Sequence, residues 1–172
     1  MSLESVKDHF KKWDRDKDIM EFESSSATVD QAAETIGVRP AQIAKTLSFR
    51  GNEDRAILIV TAGDAKIDNK KFRQVFQIKA RMLSPEDVLE QTGHAIGGVC
   101  PFGLVQDLDV YLDISLQRFD TVYPACGSSN SAIELTCEEL AEFSFAKEWV
   151  DVCKCWEEES VKEAASMGKL TD

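Results

Sequence analysis

Leu3, Val6, Phe10 and Trp13 recur at three- and four-residue intervals among Glu, Lys and Asp, so the opening of the chain predicts an amphipathic helix over Ser2 to Trp13. One stripe of such a helix must pack, as a lid or a brace. Ile19 to Glu23 alternates apolar and polar side chains as a short strand does, and Ser24-Ser25-Ser26 interrupts it. Thr28 with Gln31 three residues on predicts a capping box for a helix over Val29 to Ile36, which Gly37 closes in the left-handed conformation. Pro40 opens another helical turn.

From Ile43 the period falls to two, placing Ile43, Lys45, Leu47 and Phe49 on one strand face and Ala44, Thr46, Ser48 and Arg50 on the other. A lysine therefore shares the apolar face. Gly51 to Asp54 predicts a hairpin turn into Ala56 to Ala62, a continuously apolar run suited to a central strand covered on both sides. The pattern then predicts a basic helix over Asn69 to Phe76, a strand over Ile78 to Met82, and a helix capped by Ser84 with Pro85 at its first position and Gly93 at its end. Ala95 to Phe102 is a tight turn built on Gly97, Gly98 and Pro101. Strands follow over Asp109 to Ile114, Thr121 to Ala125 and Ala132 to Leu135, then a short helix from Cys137 to Phe143. Beyond it the pattern fades into an acidic tail, helical around Ser160 to Met167. With no internal repeat and no linker, this is one α+β domain with a mixed sheet and several flanking helices.

The chain has 172 residues, 43% of them hydrophobic, enough for a sizeable core without disulfide or metal staples. Its longest apolar runs fall far short of the roughly 20 residues of a membrane span, and its N-terminus is charged, so neither a signal peptide nor a membrane helix is expected. The five cysteines (Cys100, Cys126, Cys137, Cys153, Cys155) form no disulfide framework and suit a reducing cytoplasm. Cys137, Cys153 and Cys155 lack the spacing of a zinc ribbon, so no metal or other cofactor is expected. Twenty basic side chains against 31 acidic ones give a net charge of −11, which argues against a general nucleic-acid coat, DNA included. Lys66 to Arg81 runs against that trend, with six bases and one acid; it is either the one plausible polyanion footprint or a solvated helix face that keeps the protein soluble. Glu138 to Asp172 carries ten acids and four bases.

Neither His9 nor His94 sits beside a nucleophile elbow, and no phosphate-cradling glycine loop precedes a helix, so triad hydrolases, kinases and dehydrogenases are disfavoured. Two features are left. An ammonium on an apolar face must reach water, meet an anion or lose its proton, so Lys45 is either a snorkelling side chain or a functional cation. Gly97 and Gly98 lack side chains, so a carbonyl or oxyanion can approach their N–H groups. Cys100, with only His94 near it in sequence, reads as a loop-packing residue rather than a nucleophile.

Taken together, Ser25-Ser-Ala-Thr-Val-Asp-Gln-Ala, Gln42-Ile-Ala-Lys-Thr-Leu-Ser-Phe, Gly97-Gly-Val-Cys-Pro-Phe-Gly and Tyr123-Pro-Ala-Cys-Gly-Ser-Ser-Asn-Ser-Ala closely resemble the YbaK/EbsC family. These are free-standing aminoacyl-tRNA deacylases related to the editing domain of bacterial prolyl-tRNA synthetases. The resemblance divides the chain into an N-terminal helix and strand (1–23), a deacylase core (24–143) and an acidic extension (144–172). It implies an α+β fold around a mixed, partly barrel-like sheet, and hydrolysis of the ester of a mischarged tRNA, such as tRNA-Pro carrying a small wrong amino acid. The implied partners are the 3′ end of that aminoacyl-tRNA and a cognate synthetase. The family's essential lysine falls on Lys45 and its glycine–proline loop on Gly97 to Pro101, which makes Lys45, Gly97, Gly98 and Val99 the catalytic candidates. Thr46, Cys100, Pro101, Gly127, Ser128, Ser129 and Asn130 are the implied substrate-lining positions. The third motif departs from the basic-glycine pair and aspartate of many members, so no amino-acid preference follows from it. A non-catalytic tRNA-end or synthetase-binding module with the same fold is the alternative. Editing itself has a physical motive: a synthetase pocket gains only about 1–3 kcal/mol per methylene and so cannot exclude smaller amino acids.

Overall fold

Ala56 to Ala62, apolar but for Thr61, forms the middle of the sheet. In the computed structural model, which describes residues 2–24 and 28–156, β2 (Ile43–Arg50) and β3 (Ala56–Ala62) pair antiparallel, with Lys45 opposite Thr61 and Phe49 opposite Ile57. On one side β3 runs parallel to β5 (Asp109–Asp113), which runs parallel to β9 (Glu148–Val150). On the other, β2 meets β6 (Thr121–Pro124) in parallel and β6 meets β8 (Leu135–Thr136) antiparallel. The six-stranded order is β8-β6-β2-β3-β5-β9, and the mixed sheet curls into a half-barrel. Two small ladders complete it: β1 (Met20–Glu21) with β7 (Ser131–Ala132), and β4 (Lys66–Ile67) with β10 (Cys153–Lys154).

Local chemistry sets the helices. Thr28 Oγ1 accepts from Gln31 N–H at 3.1 Å to open α2 (Val29–Ile36), and Gly37 closes it at φ +87°. Asp68 caps α3 (Asn69–Phe76), and Ser84 caps α4 (Pro85–Thr92). The reciprocal capping box lies elsewhere, at Thr136 and Glu139 of α5 (Cys137–Phe143). The amphipathic α1 (Ser2–Lys11) is a brace: Val6 and Phe10 are fully buried, with the Phe10 ring 4.7 Å from Phe102 and 5.7 Å from Phe143. Elsewhere in the core Phe49 packs on Phe72 of α3, which continues to Phe76 and Tyr111.

Several expected elements differ. The strand expected over Ile78 to Met82 is an extended run in which only Met82 bridges Phe49; Ile78 and Ala80 alternate because they pack on the core, not because they pair. Ala132 to Leu135 splits into β7 and β8, since Ile133 N–H bonds Pro124 O and turns the chain. The strand over Ile19 to Glu23 shrinks to β1. Past Phe143, where the pattern fades, β9 and β10 are present, too short for alternation to reveal them. The helix expected around Ser160 to Met167 lies outside the described residues. Among the described residues no helix is long and apolar enough to cross a membrane.

Candidate functional site

The site begins with a gap in the sheet. β2 pairs with β6 only at Ile43 and Ala44. Four residues on, Ser48 O accepts from Leu83 N–H at 3.0 Å and Arg50 N–H donates to Arg81 O at 2.8 Å, so the same edge is covered again. Between these contacts lie Lys45, Thr46 and Leu47. Here a cavity of about 230 Å³ opens, walled by α2 (Val29, Ala32, Ile36), by Met82, Leu83 and Val88, by Ile96, Gly97 and Val99, and by Tyr123, Ala125, Ser131 and Ala132. Because it opens at a strand edge, it borders residues from both strand faces.

Lys45 is the only charged side chain among the described residues that line it. Its ammonium donates to Ala65 O at 2.6 Å and Gly63 O at 3.2 Å, both in the turn after β3. Two of its three hydrogens are thereby held, and the ammonium is kept on an otherwise oily surface without a directly bonded carboxylate. Burial pulls its pKa below the ordinary lysine value and Lys66 adds to this, whereas Cys153 and Asp64 oppose it. The hydroxyl of Thr46, at the cavity wall, is buried without a hydrogen-bond partner. A buried orphan hydroxyl costs stability, so its place in this wall calls for a reason.

The expected loop residues separate. Gly97, at φ +101°, and Val99 border the cavity with Lys45. Gly98 does not: its N–H donates to Ala95 O at 3.0 Å and its carbonyl accepts from Gly127 N–H at 3.0 Å. A Cβ there would sit 2.6 Å from Gly127 C and Ser128 N. Gly98 is thus needed for close loop packing, and the expectation that its N–H faces an oxyanion is corrected. Cys100 is fully buried off the cavity, 3.6 Å from both His94 Nε2 and Phe102 O, and desolvation pushes its pKa up to about 12. It is neither a thiolate nor a lining residue. Pro101 is buried beside a different cleft with His9 and Phe145.

In the third motif Gly127, at φ +93°, packs against Ser2 and Gly98. Ser128 Oγ bonds Asn130 Oδ1 at 2.9 Å and Ser131 Oγ at 2.6 Å, while Asn130 Nδ2 donates to Phe22 O. Gly127 to Asn130 therefore stay behind the wall, and Ser131 and Ala132 reach it. Sequence reasoning missed those two, together with Met82 and Tyr123. The pairing of Ala125 with Ala132 brings this wall together, and no local spacing announces it.

Both histidines are spoken for. His94 Nε2 can only donate to Phe102 O, at 2.7 Å, so its Nδ1 accepts from Ser2 Oγ. His9 likewise donates to Phe143 O and accepts from Gly103 N–H. No histidine, cysteine or carboxylate lines the cavity among the described residues. What the arrangement offers is a cation and bare backbone around an apolar pocket, with the unpartnered Thr46 hydroxyl buried behind its wall.

The comparisons identify the family. The family model of the aminoacyl-tRNA editing domain matches residues 23–143. The chain is 71% identical over 157 residues to the uncharacterized protein YwhH of Bacillus subtilis, covering 91% of this chain and all of that one. It is 28% identical over 114 residues to EbsC of Enterococcus faecalis, named as a candidate Cys-tRNA(Pro)/Cys-tRNA(Cys) deacylase, covering 66% of this chain and 70% of that one. A crystal structure of a candidate trans-editing enzyme for prolyl tRNA synthetase superposes with a TM-score of 0.81 at 30% identity, covering 89% of this chain and 97% of the other. A half-barrel sheet, a cationic pocket at its open edge and a match over most of the chain lead to one assignment: the protein belongs to the aminoacyl-tRNA editing domain family, in its YbaK/EbsC-like group.

Proposed function

We propose that this protein is a trans-editing hydrolase that releases a wrongly attached small amino acid from tRNA by cleaving its ester. The observation that carries this reading is that Lys45 is the single charged side chain, among the described residues, in an apolar cavity that also borders Gly97 and Val99. With two hydrogens on the Gly63 and Ala65 carbonyls, the ammonium has its third for the terminal phosphate or ribose of the aminoacylated 3′ end. The Gly97 and Val99 backbone receives the ester carbonyl as negative charge grows on it, a donor of that kind being worth about 10²–10³ in rate. Water adds to the carbonyl carbon, the bond to the ribose oxygen breaks, and that oxygen takes up the proton. An aminoacyl ester is already activated, so positioning supplies much of the acceleration and no side-chain nucleophile is required. The neighbouring ribose hydroxyl helps place the water, which suits a cavity whose lining offers no general base.

The test is a panel of alanyl-, cysteinyl-, seryl- and threonyl-tRNAs, incubated with the protein and with Lys45→Ala, following release of the amino acid. The expected outcome is cleavage of at least one ester by the parent and its loss in Lys45→Ala, with the fold retained by circular dichroism. Full turnover in Lys45→Ala, or tight binding without release by the parent, refutes the proposal.

A further inference from the structure

Lys45 owes its place to a turn, and the turn owes its place to residues beyond the matched domain. Gly63 and Ala65, whose carbonyls hold the ammonium, lead into the two-residue β4, which pairs with β10. Between them Asp64 grips Arg118 through two bonds of 2.5 and 3.0 Å, a pair only 10–15% exposed. The same guanidinium reaches Trp156 O at 3.5 Å and lies 5.0 Å from its ring centroid. Val152 O accepts from Asp68 N–H, and Lys71 Nζ binds both Asp151 and Cys153 O at 3.1 Å. From beneath, the buried Asp113 carboxylate accepts Val152 N–H at 2.9 Å and the Cys153 thiol.

We propose that the segment 151–156 is a strap that positions the Lys45 ammonium, acting through the Gly63 to Ala65 turn that supplies its two carbonyl acceptors. The inference deepens the reading above and rests on Lys45 being the cation of the site. A displaced catalytic group can cost about 10² in rate while the pocket stays intact, so the strap acts on turnover more than on affinity. Arg118 and Trp156 are positioning residues; neither lines the cavity.

The experiment uses full-length protein labelled with ¹³Cε-lysine, with the Lys45 resonance assigned by its disappearance in Lys45→Met. In the parent it titrates below the ordinary lysine value. In Arg118→Gln and Trp156→Ala the titration moves back toward that value, and kcat for ester release falls about 10²-fold while KM stays within about threefold. Arg118→Lys, which keeps the charge but not the fork, restores part of both. Val6→Ala, a core truncation on the buried face of α1, lowers thermal stability and leaves the Lys45 titration in place. If the Arg118 and Trp156 variants do not fold, Lys71→Met, at the surface end of the strap, is read in the same way. Folded strap variants with an unmoved Lys45 titration overturn the proposal, as does an equal movement in Val6→Ala. The resonance needs no turnover, so a parent that cleaves no ester sinks the functional reading while the strap is still judged by titration.

Discussion

Replacing Thr46 by Val separates a functional hydroxyl from a structural one. Thr46 Oγ1 is buried at the cavity wall with no partner, whereas most buried hydroxyls are bonded. An unmet polar group of this kind costs about 1–3 kcal/mol, and valine fills the same shape without it. At the low end of that range, about 1 kcal/mol, a chain of this size should gain roughly 2–4 °C in melting temperature. If the hydroxyl instead meets the aminoacyl group, its loss removes a hydrogen bond of about 0.5–1.5 kcal/mol, or roughly 2- to 12-fold in kcat/KM. The expected signature is therefore opposite in sign for the two properties: a more stable protein that releases amino acid more slowly. Thr46→Ser, which keeps the oxygen, should hold the parental rate. Thermal unfolding and single-turnover release from aminoacyl-tRNA measure both quantities on the same samples. A Thr46→Val protein that is less stable than the parent and equally fast would refute the reasoning, because the hydroxyl would then have a structural partner and no substrate.

Three further outcomes follow from the same geometry. Cys100→Ser should release amino acid within about twofold of the parent rate, since the thiol is buried off the cavity with a raised pKa; complete loss would restore a covalent mechanism. Gly98→Ala should cost about 1–3 kcal/mol and slow release, because its Cβ meets rigid Gly127 and Ser128 backbone, and a denaturant midpoint equal to the parent's would contradict that packing. Burial lowers the His94 pKa below 6.5, so below that pH the unfolded chain binds a proton that the folded one refuses. Stability should thus fall as pH drops from 6.5, by up to about 1.4 kcal/mol per unit for this group. His94→Gln should flatten that slope in denaturation curves taken between pH 7 and 5, and an unchanged slope would show that His94 takes up no such proton.

Lys45 could be found from the sequence because one cation among Ile43, Leu47 and Phe49 breaks a two-residue period, which is local information. The helix of Thr28 to Gly37 and the hairpin of β2 and β3 were readable for the same reason, since caps and turns are written in adjacent residues. The cavity wall was not. Ser131 and Ala132 face it while Asn130 turns back to hold Phe22 and Ser128 bonds Asn130, a distinction set by the pairing of β7 with β1 and thus by residues about 110 positions away. Within Gly97 to Pro101, Gly97 and Val99 face the cavity while Gly98, Cys100 and Pro101 do not. A motif names such a loop as a unit, and only the backbone path decides which of its members meets a ligand.

The gap along β2 explains why so few polar groups suffice. A strand paired on both edges would present Lys45 on one face and Thr46 on the other, separated by the sheet. Here the edge is covered at Ala44 and again at Ser48, and the residues between border a single cavity. Met82 and Leu83 close the far end of the gap through their contacts with Phe49 and Ser48. In the proposed reaction a cation from one strand face and the bare backbone of Gly97 would then meet the ester in one cavity, with the Thr46 hydroxyl buried just behind its wall. Selectivity among esters would rest on the apolar wall of Ile36, Leu47, Val88 and Val99, since none of these groups can read a side chain by charge. That wall can discriminate by size, the property in which a synthetase pocket fails against smaller amino acids.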